Sequence, residues 1–140
     1  MADSKVRMEV DARLENIPGI IDFVAGFMRG LRLDAIIFAV ETSVDEACTN
    51  IIKHGYSGGA GTIAIACEMQ GDDFVVTIID RGKPFDPSAV SPPDLGADLE
   101  KRKVGGLGLH LMNKLMDNVI YTYTSRDGNR LVMRKRRQDI

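Results

Sequence analysis

The chain has 140 residues, 44% of them hydrophobic, and a formal net charge of −2. That length suits one domain, 1–140, burying roughly 68% of its unfolded surface, and the charge supplies no general basic field for nucleic acid or an anionic membrane. No stretch approaches the roughly 18 apolar residues that cross a bilayer, and the start MADSKVRMEV lacks an apolar signal core, so a cytoplasmic protein is expected.

Residues 5–12 predict a first strand, and IPGIIDFVAGFMRGL predicts a helix with Pro18 near its start. A second helix is expected from about 34 to 54. TIAIACEM and FVVTIID follow as two strands with Gly71, Asp72 and Asp73 between them, a hairpin signal. Cys48 and Cys67 fall in that helix and the first of these strands without metal-ligand spacing, which predicts buried, reduced thiols. Residues 84–106, PFDPSAVSPPDLGADLEKRKVGG, hold four of the five prolines and show neither helical nor strand periodicity. A loop that long in a small domain is a lid or a disordered insert. LGLHLMNKLMD then predicts a helix with Leu111, Met112 and Leu115 on one side and His110, Asn113 and Lys114 on the other. VIYTYTS and RLVMRKR close the chain as a hairpin around Asp127 and Gly128, and the basic run at 134–137 is expected to be a solvated strand end. Helices in a block and strands in adjacent pairs indicate an α+β class. The expected architecture is a two-layer sandwich with helices on one face of a mixed, mostly antiparallel sheet.

Three short segments carry chemistry. In VDEACTNIIKHGY, at about 100° per residue, Ile36, Val40, Val44, Ala47 and Ile51 form one stripe. Glu46 and Asn50 stand about 110° from its centre, at its border, where they can line a crevice or form a polar helix flank. In IIDRGKPFDP an apolar strand ends on Asp80 and meets Gly82 and Pro84. A carboxylate there can accept a hydrogen bond from a flat ligand's amino group, although Asp and Gly after a strand also make an ordinary turn. In KVGGLGLHLM, Gly105, Gly106 and Gly108 lead straight into a helix, a site for phosphate at free N–H groups or a hinge after the loop. It is neither a P-loop, since no Gly-Lys-Ser/Thr follows, nor a dinucleotide fingerprint.

Taken in order, Glu-x-x-x-Asn on a helix, Asp-x-Gly after a strand and Gly-Gly-Leu-Gly-Leu opening another helix resemble the ATP-binding domain of the GHKL superfamily. That superfamily has the Bergerat fold and includes gyrase, heat-shock chaperones, histidine kinases and mismatch-repair ATPases. Within it the chain is most similar to the small anti-sigma-factor serine kinases, over nearly its whole length. The resemblance implies ATP and Mg²⁺, with Glu46 as general base and Asn50 as the metal-holding residue. It implies Asp80 on the adenine amino group, Gly82 beside the base, and Gly105, Gly106, Leu107, Gly108 and Leu109 around the phosphates. It also implies a STAS-domain antagonist as serine acceptor, a sigma factor as second partner, and a homodimer. Two other readings stay open: a nucleotide-gated binding switch with little or no kinase activity, and a detached histidine-kinase ATPase domain. Pro84, where histidine kinases have a second glycine, and the lack of a phosphoacceptor-histidine helix weigh against the latter.

Several residues depart from the pattern or stay open. Where relatives carry a Gly-Thr pair before the last strand, here Gly128 precedes Asn129 and Arg130, which puts the threonine's adenine contact in doubt. His54 at its helix end and Lys53 allow a phosphate contact, as does one of Lys101, Arg102 and Lys103 in the lid, each against a structural or solvated role.

Overall fold

Strand alternation organises the molecule. A computed structural model describes residues 5–89 and 106–138. Its elements are β1 (Val6–Asp11), α1 (Ile17–Gly30), α2 (Ile37–Asn50), β2 (Thr62–Gln70), β3 (Asp73–Asp80), α3 (Gly106–Leu115), β4 (Asn118–Thr124) and β5 (Gly128–Arg136). Short 3-10 turns precede α1 and α2, and a π-helical turn, Ile51–Gly55, extends α2. The five strands run in the order β1-β2-β3-β5-β4. The sheet, expected to be mixed and mostly antiparallel, is antiparallel at each of these pairs. The long connection from β3 to β5 passes through α3 and β4, so β5 returns beside β3 in the opposite sense.

Because side chains alternate between faces along a strand, Phe74, Val76 and Ile78 of β3 turn to one side with Ile63, Ile65 and Cys67 of β2 and Leu131 and Met133 of β5. Against this face pack Ile20, Val24 and Met28 of α1, Val40, Val44 and Ala47 of α2, and Met112 of α3. Each such large side chain contributes about 1.5–3 kcal/mol on leaving water. Phe27 and Phe74 meet across the layers with ring centroids 6.3 Å apart. Both cysteines are free and buried. Burial, followed by the charges of Asp45 and Asp80, pushes the Cys48 thiol up to about 12, so it stays protonated.

The same alternation carries a consequence for the site. Asp80 continues the row Phe74, Val76, Ile78, so the strand's last residue is a carboxylate on the helix-covered side, only 6% exposed. Register pairs Asp80 with Asn129 of β5, and Asn129 likewise ends the inward row of Leu131 and Met133 and is buried. Two apolar rows thus end in polar groups at one end of the sandwich.

Two residues of the expected basic strand end make ion pairs: Lys135 with Asp117 at 3.7 Å and Arg136 with Asp72 at 3.6 Å. At the other end of β5, Gly128 has φ +79°, and a Cβ there would overlap the Asp80 carbonyl. Gly26, on the exposed side of α1, has nothing within 4 Å of an added Cβ. Gly128→Ala is therefore expected to destabilise the protein by about 1–3 kcal/mol, and Gly26→Ala to stabilise it by about 0.5–1 kcal/mol. Urea unfolding of the two variants checks the opposite signs; the same sign for both would contradict the geometry.

Candidate functional site

The polar strand ends open onto a cavity of about 230 Å³ between the end of α2 and the β3–β5 pair. Asn50, Ile51, His54 and Gly55 line one wall, Ala47 and Leu131 its inner end, and Asp80, Lys83, Pro84, Phe85, Tyr121 and Asn129 the other. Apolar walls with a few convergent polar groups suit a flat, partly polar ligand.

The helical wall owes its shape to the π turn. Tyr56 N–H bonds to the Ile51 carbonyl over 2.9 Å, a five-residue closure that inserts a wider turn. Ile52 becomes the buried residue, 5% exposed, while Ile51, expected on the core stripe, packs against the core from the cavity wall. Tyr56 then ties this helix end to the sheet: its hydroxyl donates to the Thr62 carbonyl over 2.8 Å and accepts the Arg81 N–H over 2.7 Å. Lys83 N–H donates to the Gly55 carbonyl over 2.9 Å.

Gly82 lies in this contact and is absent from the cavity lining. A Cβ on Gly82 would come within 2.6 Å of the Gly55 carbonyl carbon and oxygen. The missing Cβ of this glycine admits the backbone of the helix end.

Asp80 is held through one of its two oxygens. Its Oδ1 accepts the Gly82 N–H over 2.8 Å and Asn129 Nδ2–H over 3.0 Å. Burial raises its pKa above the usual aspartate range, with the Asn129 and Gly82 hydrogen bonds pulling the other way. Next to it, the Phe85 and Tyr121 rings meet at 4.6 Å and 47°, and burial followed by the Asp80 charge raises the Tyr121 hydroxyl.

Glu46 and Asn50 are half-buried at the border of the α2 stripe, as their helical phase predicts. They face the start of α3: a Cβ built on Gly108 would lie 2.7 Å from Glu46 Oε2 and 3.3 Å from Asn50 Nδ2. Burial, then the neighbouring Asp45, raises the Glu46 carboxyl above the usual glutamate range. A helix leaves its first four N–H groups without intrahelical acceptors, and in α3 these belong to Gly106, Leu107, Gly108 and Leu109. All three sequence segments therefore converge at one end of the sandwich. Gly105, the basic residues Lys101, Arg102 and Lys103, and residues 90–105 of the lid expected over 84–106 lie outside the described residues. Lys53 is exposed and off the cavity, whereas His54 lines it.

Sequence reasoning left Lys83, Phe85, Tyr121 and Asn129 without a place in the site. The first two stood in the segment IIDRGKPFDP and followed from the strand end. Tyr121 and Asn129 depend on β5 pairing with β3, which no local pattern encodes.

A family model described as "Histidine kinase-like ATPase domain" matches residues 10–135. The chain is 34% identical over 121 residues to Serine-protein kinase RsbW of Bacillus cereus (strain AH187), covering 82% of this chain and 75% of that one. It is 33% identical over the same span and shares to Serine-protein kinase RsbW of Bacillus thuringiensis subsp. konkukian (strain 97-27) and of Bacillus anthracis.

A carboxylate with a raised folded-state pKa binds its proton more tightly in the folded protein than in the unfolded one. Its contribution to stability therefore declines as pH rises from about 4, the unfolded aspartate value, through the folded pKa. Asp80→Asn removes this term and keeps an acceptor for Gly82. Urea unfolding between pH 4 and 7 is expected to show a shallower decline in Asp80→Asn than in the native protein; superimposable slopes would refute the burial argument.

Proposed function

The chain belongs to the histidine kinase-like ATPase domain family, and we propose that it works as an ATP-dependent serine-protein kinase of the anti-sigma type. The observation that carries this reading is the convergence of Glu46 and Asn50 on α2, Asp80 at the end of β3 and the N-terminus of α3 at one end of the sandwich.

In this reading the base enters the apolar cavity between Ile51 and the Phe85–Tyr121 pair. Its amino group donates to Asp80, whose carboxylate when ionised offers only acceptors. A base with a carbonyl in place of the amino group meets acceptor with acceptor and is disfavoured. The triphosphate runs toward the free N–H groups of Gly106, Leu107, Gly108 and Leu109, where the helix dipole favours negative charge, and Gly105 extends the cradle. Asn50 supplies a hard oxygen donor at this place. That fits Mg²⁺, which is commonly held by few protein ligands together with substrate phosphates and which neutralises phosphate charge when bound. Gly82 serves the base indirectly, by letting the Asp80 loop seat against Gly55.

Glu46 accepts the proton of the partner's serine hydroxyl as that oxygen attacks the terminal phosphorus of ATP, whose bond to the bridging oxygen breaks to release ADP. Desolvation makes its carboxylate more basic than a free glutamate, which suits a general base. Phosphoryl transfer otherwise demands positioning and charge neutralisation. The serine acceptor is a STAS-domain antagonist, and a sigma factor is the protein held when unphosphorylated antagonist is scarce. The chain acts in the cytoplasm as one domain with its lid at 84–106; among the described residues no helix is long and apolar enough to cross a membrane.

A homodimer is part of the proposal, supported by apolar side chains left in water: Phe38 at 73%, Leu14 at 50% and Ile120 at 48% exposed. Ile120 lies on β4, an edge strand open to pairing. Light scattering at micromolar concentration is expected to give twice the chain mass of 15.4 kDa; a monomer mass would remove this part of the proposal.

Glu46→Gln is expected to bind ATP as the native protein does and to transfer phosphate roughly 10²-fold or more slowly, the scale of a positioned base. In the native protein transfer falls as pH drops through the raised Glu46 pKa. Asn50→Ala weakens Mg-ATP binding instead. Single-turnover transfer from γ-labelled ATP to a STAS protein, with calorimetry on the same variants, checks these outcomes. Normal transfer by Glu46→Gln would end the general-base assignment, and no transfer by the native protein would leave a nucleotide-gated binder.

A further inference from the structure

Asn129 is 5% exposed, and its amide is fully engaged. Nδ2 donates to Asp80 Oδ1 over 3.0 Å and to the Lys83 carbonyl over 2.8 Å, while Oδ1 accepts the Phe85 N–H over 2.9 Å. Only a carboxamide offers two donors and an acceptor in one plane; a threonine hydroxyl has a single hydrogen to give. The side chain thus stands between the carboxylate at the end of β3 and two backbone groups at the root of the 84–106 segment. Its place is fixed by the β3–β5 register and by Gly128, whose missing Cβ lets β5 lie against the Asp80 carbonyl.

We propose that Asn129 is a positioning residue that couples recognition of the base at Asp80 to the backbone of the lid root, Lys83–Phe85. The proposal rests on the ATP reading given above. Both hydrogen bonds to the Asp80 side chain end on Oδ1, which fixes the rotation of the carboxylate and leaves Oδ2 for a base's amino group. A hydrogen bond drawn by Oδ2 polarises and orients the carboxylate, and the Asn129 amide passes that constraint to the Lys83 carbonyl and the Phe85 N–H. Phe85 carries it to the cavity wall, where its ring rests on Tyr121. A base with an exocyclic amino group therefore stiffens the Phe85 backbone, and a base without one fills the same cavity and leaves the lid root loose.

Inosine triphosphate differs from ATP at this amino position, so the pair isolates the effect. The experiment measures hydrogen exchange of the Phe85 amide by NMR in the full chain at saturating ATP or inosine triphosphate, with affinities for both by calorimetry. In the native protein ATP is expected to slow Phe85 exchange about tenfold more than inosine triphosphate does, the scale of one hydrogen bond to a charged group. In Asn129→Leu and Asn129→Thr both nucleotides slow it equally and the preference for ATP falls about tenfold, while the Val76 amide in the core of β3 exchanges as before. Equal slowing by the two nucleotides in the native protein overturns the coupling, whether or not either variant folds. So does a variant that melts like the native protein and keeps both the exchange difference and the preference. Failure of the native chain to bind either nucleotide overturns the ATP reading and the coupling with it; ATP binding without the Phe85 difference overturns the coupling alone.

Discussion

A β-strand cannot choose the side of a single residue, and that constraint decides the chemistry of this molecule. Once Phe74, Val76 and Ile78 face the helices, Asp80 must face them too. An uncompensated carboxylate in that position costs several kcal/mol, and the surrounding sequence supplies the compensation: an N–H from Gly82, an amide N–H from Asn129, and an open cavity on the remaining side. Hydrogen bonds to a charged group contribute about 1.5–3 kcal/mol each, enough to keep the folded state competitive without sealing the carboxylate off. The group is held, not satisfied, and in the proposed ATP reading a base's amino group completes it.

Backbone packing, more than side-chain packing, sets the other wall. The π turn ends α2 with Gly55 against Gly82 at a separation that no Cβ on Gly82 permits, and the Tyr56 hydroxyl bridges the start of β2 and the residue that follows β3. The distance between the α2 wall and the Asp80 loop therefore follows from main-chain contact, which has little freedom to relax. A cavity bounded in this way keeps its width when surface side chains change. Glycine in these motifs serves the architecture at Gly82 and Gly128 and the approach to a neighbouring helix at Gly108, so one residue type answers three different spatial demands.

Much of this was legible along the chain. Periodicity located each helix and strand, and helical phase alone put Glu46 and Asn50 on the border of a buried stripe, where both lie. What sequence reasoning could not reach was contact between distant segments. Asn129 read as a departure from a Gly-Thr pattern, with no sign that its amide meets Asp80, 49 residues away. The contact of Gly82 with Gly55 was equally out of reach, because Gly55 belongs to a different element. Ile51 and Ile52 exchanged depth because a π turn changes the helical phase, and such a turn has no residue signature of its own.

The β3–β5 pairing also sets the order of assembly. The β2–β3 hairpin closes over Gly71 and Asp72, but bringing Asn129 to Asp80 closes a loop of 49 residues, an entropic cost of about 3 kcal/mol before any contact repays it. During synthesis β1, β2, β3 and the first two helices emerge well before β5, and until β5 arrives one long edge of β3 stays unpaired. The carboxylate that this edge buries has only Gly82 for company in that interval, and the cavity lacks the wall formed by Tyr121, Asn129 and Leu131. The cavity is thus among the last features of the described fold to form, and its presence reports that the chain has folded through to β5.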